Sequence, residues 1–134
     1  MVDNELITKV RVRNVKSILS NVFASGYLVR RGTVSAASTS SLTIDSDITY
    51  QYSLTALAAA LSIEAPTGTP FNGQDLLIRI LDNGTARALT WNSIFRVIGV
   101  TLPTTTVISK TMYIACIYNS TDTKWDVIGV REQA

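Results

Sequence analysis

The sequence predicts an all-β fold, an antiparallel β-sandwich of the jelly-roll type preceded by an N-terminal extended arm with a short helix. Short apolar or alternating runs follow one another from residue 27 onward, and Gly, Pro, Ser and Asn separate them. That spacing predicts about eight or nine strands, as in a sandwich or jelly roll. No alternation of strand and helix patterns follows residue 27, which argues against a parallel α/β fold.

The clearest strand pattern is "ITYQYSLTA", in which apolar and aromatic residues alternate with Thr, Gln and Ser. This period of two predicts a half-buried strand whose core face carries Ile48, Tyr50, Tyr52 and Leu54. The segment "LAAALSIEA" suits a helix as well as a strand. We interpret it as a strand that Pro66 terminates, because proline cannot donate to a sheet ladder.

Two later runs, "DLLIRIL" and "KTMYIACIY", are apolar on both faces except at Arg79. Strands of this composition are typical of positions covered on both sides. We therefore expect "KTMYIACIY" to be a central strand with a cover on each face. The turn "NSTDT" separates the second run from the last strand, "KWDVIGV".

An Asn-Gly pair lies in "LIRILDNGTARALTW", between two apolar runs. Asn-Gly is the strongest short signal for a hairpin, because both residues tolerate positive φ. We expect Asp82, Asn83 and Gly84 to form a structural turn that pairs residues 76–81 with residues 86–91. Two arginines flank the turn, and we expect Arg79 and Arg87 to meet acids such as Asp75, Asp82 or Glu64.

The first part of the chain has a different pattern of apolar and polar residues. We therefore divide the chain into an N-terminal attachment arm, residues 1–32, and a β-sandwich domain, residues 33–134. The segment "ITKVRVR" alternates like an extended strand. The following "NVKSILSNVFASG" carries an apolar stripe with helical spacing, between a candidate N-cap at Asn14 and a candidate stop at Gly26. A helix this short needs a partner surface for its stripe.

The arm is also basic: residues 1–31 hold six basic and two acidic residues, whereas the rest of the chain has a net charge of −2. Basic arms can contact nucleic acid or an acidic protein surface, although scattered charges can also be without function. We expect a protein partner, since the arm lacks interleaved aromatic residues. The candidate docking residues are Lys9, Arg11, Arg13, Lys16, Ile18, Leu19, Val22, Phe23, Arg30 and Arg31.

Little in the sequence indicates catalysis. Histidine is absent, Cys116 is the single cysteine, and no phosphate-binding glycine loop is present, so histidine-dependent catalysis and ordinary structural zinc are excluded. Asp45 and Asp47 could bind a hard cation, but a solvated turn is the favoured interpretation. The aromatic residues could form a sugar-stacking surface, but core packing explains them better. We expect no enzyme activity, cofactor or metal.

The sequence begins polar and acidic and has no apolar run near the ~20 residues of a membrane span. We therefore expect a soluble protein made in the cytoplasm, without a membrane partner.

Residues 47–131 resemble a β-domain of tailed-bacteriophage virion proteins, found in capsid decoration (cement) proteins, head fibres and tail-fibre tips. The segments that carry the resemblance are "APTGTPFNGQ", "RILDNGTARALTW", "VTLPTTT" and "YNSTDTKWDV". They are turns and strands, so the resemblance implies no reaction.

The resemblance implies a non-enzymatic virion protein, commonly a homotrimer, on the capsid exterior after assembly in the host cytoplasm. The arm, which lies outside the resemblance, would dock on the major capsid protein or another virion protein and stabilise the shell. The alternative is a tail-fibre or fibre-tip domain whose Ser/Thr-rich loops bind a host-surface glycan.

Overall fold

The computed structural model describes residues 30–134, and their regular structure consists of strands alone. The all-β class is therefore confirmed for this part of the chain. The nine strands are β1 Gly32–Ala36, β2 Ser41–Leu42, β3 Thr49–Leu57, β4 Leu61–Ile63, β5 Asp75–Asp82, β6 Leu89–Trp91, β7 Phe95–Val97, β8 Met112–Asn119 and β9 Lys124–Glu132.

The strands form two sheets, and the chain alternates between them from β1 to β7. The larger sheet has the order β1-β3-β5-β8-β9-β7, and the smaller sheet has the order β2-β4-β6. Each strand up to β6 is therefore followed by a strand of the other sheet. Neighbours in a sheet are then two apart in the chain, and the intervening strand of the other sheet serves as the connection between them.

This alternation determines the direction of the pairing. β1–β3, β3–β5, β2–β4, β4–β6 and β7–β9 pair in parallel, whereas β5–β8 and β8–β9 are antiparallel. The prediction of an antiparallel sheet is therefore wrong for most of the ladders. Parallel neighbours need a long crossover, usually a helix. Here a strand of the second sheet fills that role for every parallel pair except β7–β9, whose connection contains β8 of the same sheet. A jelly-roll arrangement stays a prediction.

The expected hairpin around Asn83–Gly84 is also wrong. The chain does bend at residues 83–85, and Gly84 has a φ of +92°. However, β5 pairs with β3 on one edge and with β8 on the other, while β6 pairs with β4 in the smaller sheet. Both edges of β5 are thus occupied, and the bend carries the chain from one sheet to the other.

Both sheets contribute side chains to one hydrophobic cluster. Every second residue is buried along β5, from Met112 to Cys116 in β8, and at Trp125 and Val127 in β9, as the period of two requires. The smaller sheet supplies Leu42, Leu61, Ile63 and Leu89 to the same cluster. The strand "LSI" ends before Pro66, as predicted, and Cys116 is buried, as is typical of a free cysteine.

The start of β3 departs from the predicted alternation. Leu54 is buried and Tyr52 is half-buried, but Ile48 and Tyr50 are exposed, so the core assignment of these two residues is wrong. The Thr49 N–H closes a turn on the Asp45 carbonyl, and this turn brings Thr49 into the buried layer instead.

The loop between β4 and β5 is held by buried polar groups. The Ser46 hydroxyl donates to the Thr67 carbonyl (2.7 Å), and the Gln74 side-chain amide donates to the Ser46 carbonyl (2.8 Å). Both side chains are fully paired in this way, which is the normal condition for buried polar groups. The loop passes so close to Asp47 that a Cβ on Gly68 would lie 2.7 Å from Asp47 Oδ1.

Gly68→Ala tests this close approach, and Gly73→Ala is its matched control. Both glycines have positive φ, +95° and +83°, but a Cβ on Gly73 would meet no atom within 4 Å. Each substitution should cost about 1–2 kcal/mol of backbone strain. Gly68→Ala should lower the free energy of unfolding by about a further 1–3 kcal/mol, because the loop must shift. Urea denaturation measures both variants, and equal losses would contradict the packing argument.

Candidate interaction surface

Most of the predicted docking residues lie outside the described part of the chain. These are Lys9, Arg11, Arg13, Lys16, Ile18, Leu19, Val22 and Phe23, together with the predicted helix. Their role stays a prediction. Of the two remaining residues, Arg30 is exposed and Arg31 is half-buried.

Arg31 is bonded to the β-domain itself. Its Nε donates to the Ser46 carbonyl (3.1 Å), and one Nη donates to the Thr49 carbonyl (2.6 Å). The other Nη forms an ion pair with Asp75 at 2.9 Å, and the Asp75 carbonyl accepts a further bond from the guanidinium. Arg31 therefore fixes the entry of the chain into β1, and its donors are engaged within the domain.

The carboxylate of Asp82 organises the bend after β5. Oδ1 accepts the Gly84 N–H at 3.0 Å and the Ser109 N–H at 2.9 Å, and Oδ2 accepts the Thr106 hydroxyl at 2.7 Å. Asp82 is buried, so its oxygens are bonded to these three donors rather than to solvent. It joins the bend to the segment before β8 and acts as a structural residue.

The pKa of Asp82 follows from this environment. Burial alone would raise the pKa of the carboxyl. The hydrogen bonds from Ser109, Thr106 and Gly84, together with the positive charge of Arg87, outweigh the burial and hold the pKa below its ordinary value of 3.8. The charged form is therefore the one that the fold requires.

Neither flanking arginine forms an ion pair within residues 30–134, and the Nε of each is buried without a hydrogen-bond partner there. Arg87 donates from Nη2 to Asn83 Oδ1 at 3.0 Å, and its positive charge acts on Asp82. The expected contact with an acid is therefore wrong for Arg79, and Arg87 meets Asp82 through its charge alone. Asp75 is taken by Arg31, and Glu64 accepts the Ser62 hydroxyl instead.

The other candidate chemical groups are engaged in structure. Asp45 Oδ1 accepts the Asp47 N–H (3.0 Å), and Asp47 Oδ1 accepts the Thr69 N–H (2.8 Å), so the turn interpretation of this pair is confirmed. Residues 30–134 contain no cluster of three side chains suited to a metal ion. Burial raises the pKa of the Cys116 thiol to about 12, which keeps it protonated and unreactive.

The outward-facing side of the larger sheet is apolar at its centre and charged at its margins. On the central strands β5, β8 and β9 the residues that alternate with the core are exposed or half-buried. We call this surface the outer sheet face; it comprises Leu77, Arg79, Tyr113, Ala115, Ile117 and Gly129, with Ile128 beside them at the β8–β9 register shift and with Asp75 and Asp126 on either side of Ile117. Ile117 is 37% and Ile128 48% exposed. A sheet face that meets water normally carries polar residues, so this surface has the composition of an interface.

The outer sheet face has a shallow centre between two raised rows. Leu77, Ala115 and Gly129 are aligned across the three strands, and a Cβ on Gly129 would lie 3.6 Å from that of Ala115. The rows on either side align Arg79, Tyr113 and Arg131, and Asp75, Ile117 and Asp126. Small residues at the centre allow another surface to approach the sheet closely.

An ion-pair network fixes the far edge of this face. Arg96 on β7 contacts Asp126 on β9 through two hydrogen bonds, 2.7 and 3.0 Å, and Asp122 at 2.9 Å. The Arg96 guanidinium lowers the pKa of Asp126, and the two carboxylates raise the pKa of Arg96. A bidentate arginine contact holds geometry better than a single ion pair does, so the short edge strand keeps its register.

Sequence reasoning identified β8 as a central strand but interpreted its second face as covered. Within residues 30–134 no segment covers it, and Tyr113 and Ile117 are exposed. The sequence signal for this surface is the apolar composition of both faces of β5 and β8. Such a composition is equally typical of a face that another protein chain covers and of a face that is buried within the same chain.

Comparisons of the chain with protein-family models, with curated proteins and with solved structures gave no match. The resemblance to phage virion domains therefore stays a prediction. In the described part of the chain, no helix has the length and hydropathy that a membrane span needs.

The lowered pKa of Asp82 gives its stabilising role a defined pH dependence. Asp82→Asn should lower the free energy of unfolding by about 2–3 kcal/mol at neutral pH, because a charged acceptor of buried donors is lost. The native pKa is below the unfolded value, so this difference is complete above pH 3.8 and disappears as the pH falls through the native pKa. Urea denaturation from pH 7 to pH 3 measures it.

Asp45→Asn is the control, because that side chain is exposed and has no resolved role beyond its turn. A difference between wild type and Asp82→Asn that persists unchanged down to pH 3 would contradict the charge-based account.

Proposed function

We propose that the protein is a non-enzymatic structural protein of a tailed-phage virion, and specifically a homotrimeric capsid decoration or head-fibre protein. In this proposal the outer sheet face packs against other copies of the chain. The arm, residues 1–32 of the sequence-based division, docks on the major capsid protein and stabilises the shell.

The exposed apolar outer sheet face is the observation that carries the proposal. Its middle row, Leu77, Ala115 and Gly129, is aligned and uncharged, with Arg79 on one side and Asp75 and Asp126 on the other. Contiguous exposed apolar surface marks sites of protein association. Obligate oligomer interfaces have this composition, because their cores resemble the interior of a domain.

The proposal of a structural role is supported by the state of the polar groups. Asp82, Asp47 and Asp126 each hold backbone or side-chain donors of the fold. A general acid or nucleophile needs a free, positioned group near a substrate. These carboxylates are instead committed to holding loops and strands together.

The charge of the arm supports its role in docking. Arms with an excess of basic residues are attracted to acidic surfaces, and this attraction weakens with salt. Arg31 belongs to the β-domain through its bonds to Ser46, Thr49 and Asp75. A truncation that removes the arm without disturbing the domain should therefore end at residue 29.

The first test of the proposal is the oligomeric state of Ile117→Lys. Wild-type protein should be a trimer by light scattering and native mass spectrometry. Ile117→Lys should shift it to monomer, because each copy loses about 1.5–3 kcal/mol of apolar burial and places a charge in the interface. Ile108→Lys is the matched control, since Ile108 is exposed in the loop before β8, outside the outer sheet face, and should stay trimeric.

Circular dichroism would establish that both variants keep the β-fold. A monomeric wild-type protein at micromolar concentration, or dissociation of both variants alike, would refute the use of this face for self-association.

The second test is the position of the protein on intact particles. Cryo-EM should show density outside the capsid shell, and a chain lacking residues 1–29 should form folded trimers that no longer bind particles. The double variant Arg11→Glu, Arg13→Glu should bind more weakly, with a salt dependence smaller than that of wild type. A Lys110→Glu variant, changed in the loop before β8 and outside the outer sheet face, should keep its arm-dependent binding.

Density confined to the tail would overturn the decoration role and favour the alternative, a tail-fibre or fibre-tip domain that binds a host glycan. Undiminished particle binding after truncation would overturn the role of the arm.

A further inference from the structure

The chain contains two Asn-Gly pairs, Asn72–Gly73 and Asn83–Gly84, and both asparagines are exposed in loops. Asn-Gly is a chemically labile sequence, because glycine has no side chain to shield its backbone nitrogen. That nitrogen attacks the asparagine Cγ, forming an N–Cγ bond while the Cγ–Nδ2 bond breaks and ammonia leaves. Water then opens the cyclic imide to aspartate or isoaspartate. Water is the only other reactant, so the rate depends on how readily the glycine nitrogen loses its proton and reaches the asparagine Cγ.

In this structure the backbone N–H of both glycines already donates a hydrogen bond. The Gly84 N–H donates to Asp82 Oδ1 at 3.0 Å, and the Gly73 N–H donates to the Tyr118 carbonyl at 2.8 Å. The nitrogen must lose its proton before it attacks. A hydrogen bond that stabilises the protonated form therefore slows the reaction.

The electrophilic side chains are also fixed. Asn83 Oδ1 accepts from Arg87 Nη2 at 3.0 Å, and Asn72 Oδ1 accepts the Ser120 N–H at 3.0 Å. These bonds limit rotation of the side-chain amide toward the following nitrogen. Each pair is thus restrained at both reacting groups.

We propose that Asn83–Gly84 is a deamidation site at which the fold slows the reaction, and that the Asp82 carboxylate is the protecting group. The Asp82 carboxylate accepts a hydrogen bond from the Gly84 N–H and so stabilises the protonated nitrogen. Its negative charge also disfavours the amide anion beside it, by the same like-charge effect that raises the pKa of a neighbouring acid. Gly73, by contrast, faces a neutral carbonyl, so only the pair at residue 83 has charge-based protection.

Protection at this position has a structural consequence. Deamidation at Asn83 would place a second carboxylate next to Asp82, and the isoaspartate product would add a methylene to the backbone. Both changes disturb the bonds from Gly84 and Ser109 to Asp82. Loss of the protection therefore damages the same bend that provides it.

The test compares deamidation of the two pairs within one molecule. Full-length protein is incubated at mildly alkaline pH, folded or unfolded in urea, and peptide mapping by mass spectrometry quantifies aspartate and isoaspartate at residues 72 and 83. In the folded protein, Asn83 should react at least tenfold more slowly than in urea. Asp82→Ala should raise the rate at Asn83 about 10- to 100-fold, equivalent to about 1.4–2.7 kcal/mol of barrier, and leave the rate at Asn72 unchanged.

Asn72 is the internal control, because general unfolding of a variant would raise the deamidation rate at Asn72 as well as at Asn83. If Asp82→Ala raises both rates, the isosteric Asp82→Asn variant is measured under conditions where it is folded, and it should raise the rate at Asn83 alone. Hydrogen exchange of the Gly84 amide in wild-type protein gives a second readout, with at least tenfold protection expected. An unprotected Gly84 amide, or an unchanged Asn83 rate in folded Asp82→Asn, would overturn the proposal.

Discussion

The buried carboxylate of Asp82 lies at the point where the chain leaves the larger sheet for the smaller one. It is the last residue of β5, and its three donors come from the bend that follows and from the segment that precedes β8. A buried charge is tolerated only when hydrogen bonds replace its hydration. These bonds therefore fix the two segments to each other, and with them the positions at which β6 and β8 begin.

The same crossing between sheets determines most of the topology. Because the chain changes sheet after every strand up to β6, it returns to each sheet in the same direction, and the neighbours are parallel. The antiparallel pairs β5–β8 and β8–β9 reverse this pattern. The β8–β9 pair completes the larger sheet beside β5 and places three apolar strands at its centre. The outer sheet face is a result of this arrangement, since residues that alternate with the core on β5, β8 and β9 align on one surface.

The sequence predicted where strands lie better than it predicted which strands are neighbours. Apolar alternation and turn residues depend on local sequence, so the end of β4 before Pro66 and the turn between β8 and β9 were predictable. Pairing depends on distant contacts. The Asn-Gly signal favoured a hairpin, but Asp82 bonds residues 24 and 27 positions away, and no local pattern contains that information. The ion pair between Arg31 and Asp75, 44 positions away, could not be predicted either, because it is also a distant contact.

The distribution of charge separates the two proposed contacts physically. Within residues 30–134, Arg31, Arg96, Asp75, Asp122 and Asp126 satisfy one another in ion pairs. The centre of the outer sheet face is apolar, so association through it depends on the area removed from water and responds little to moderate salt. Docking of a basic arm responds strongly, because exposed charges are screened beyond about 10 Å at 0.1 M ionic strength. Raising the salt concentration should therefore release the protein from its acidic partner as an intact oligomer, and only variants of the sheet face should separate the copies.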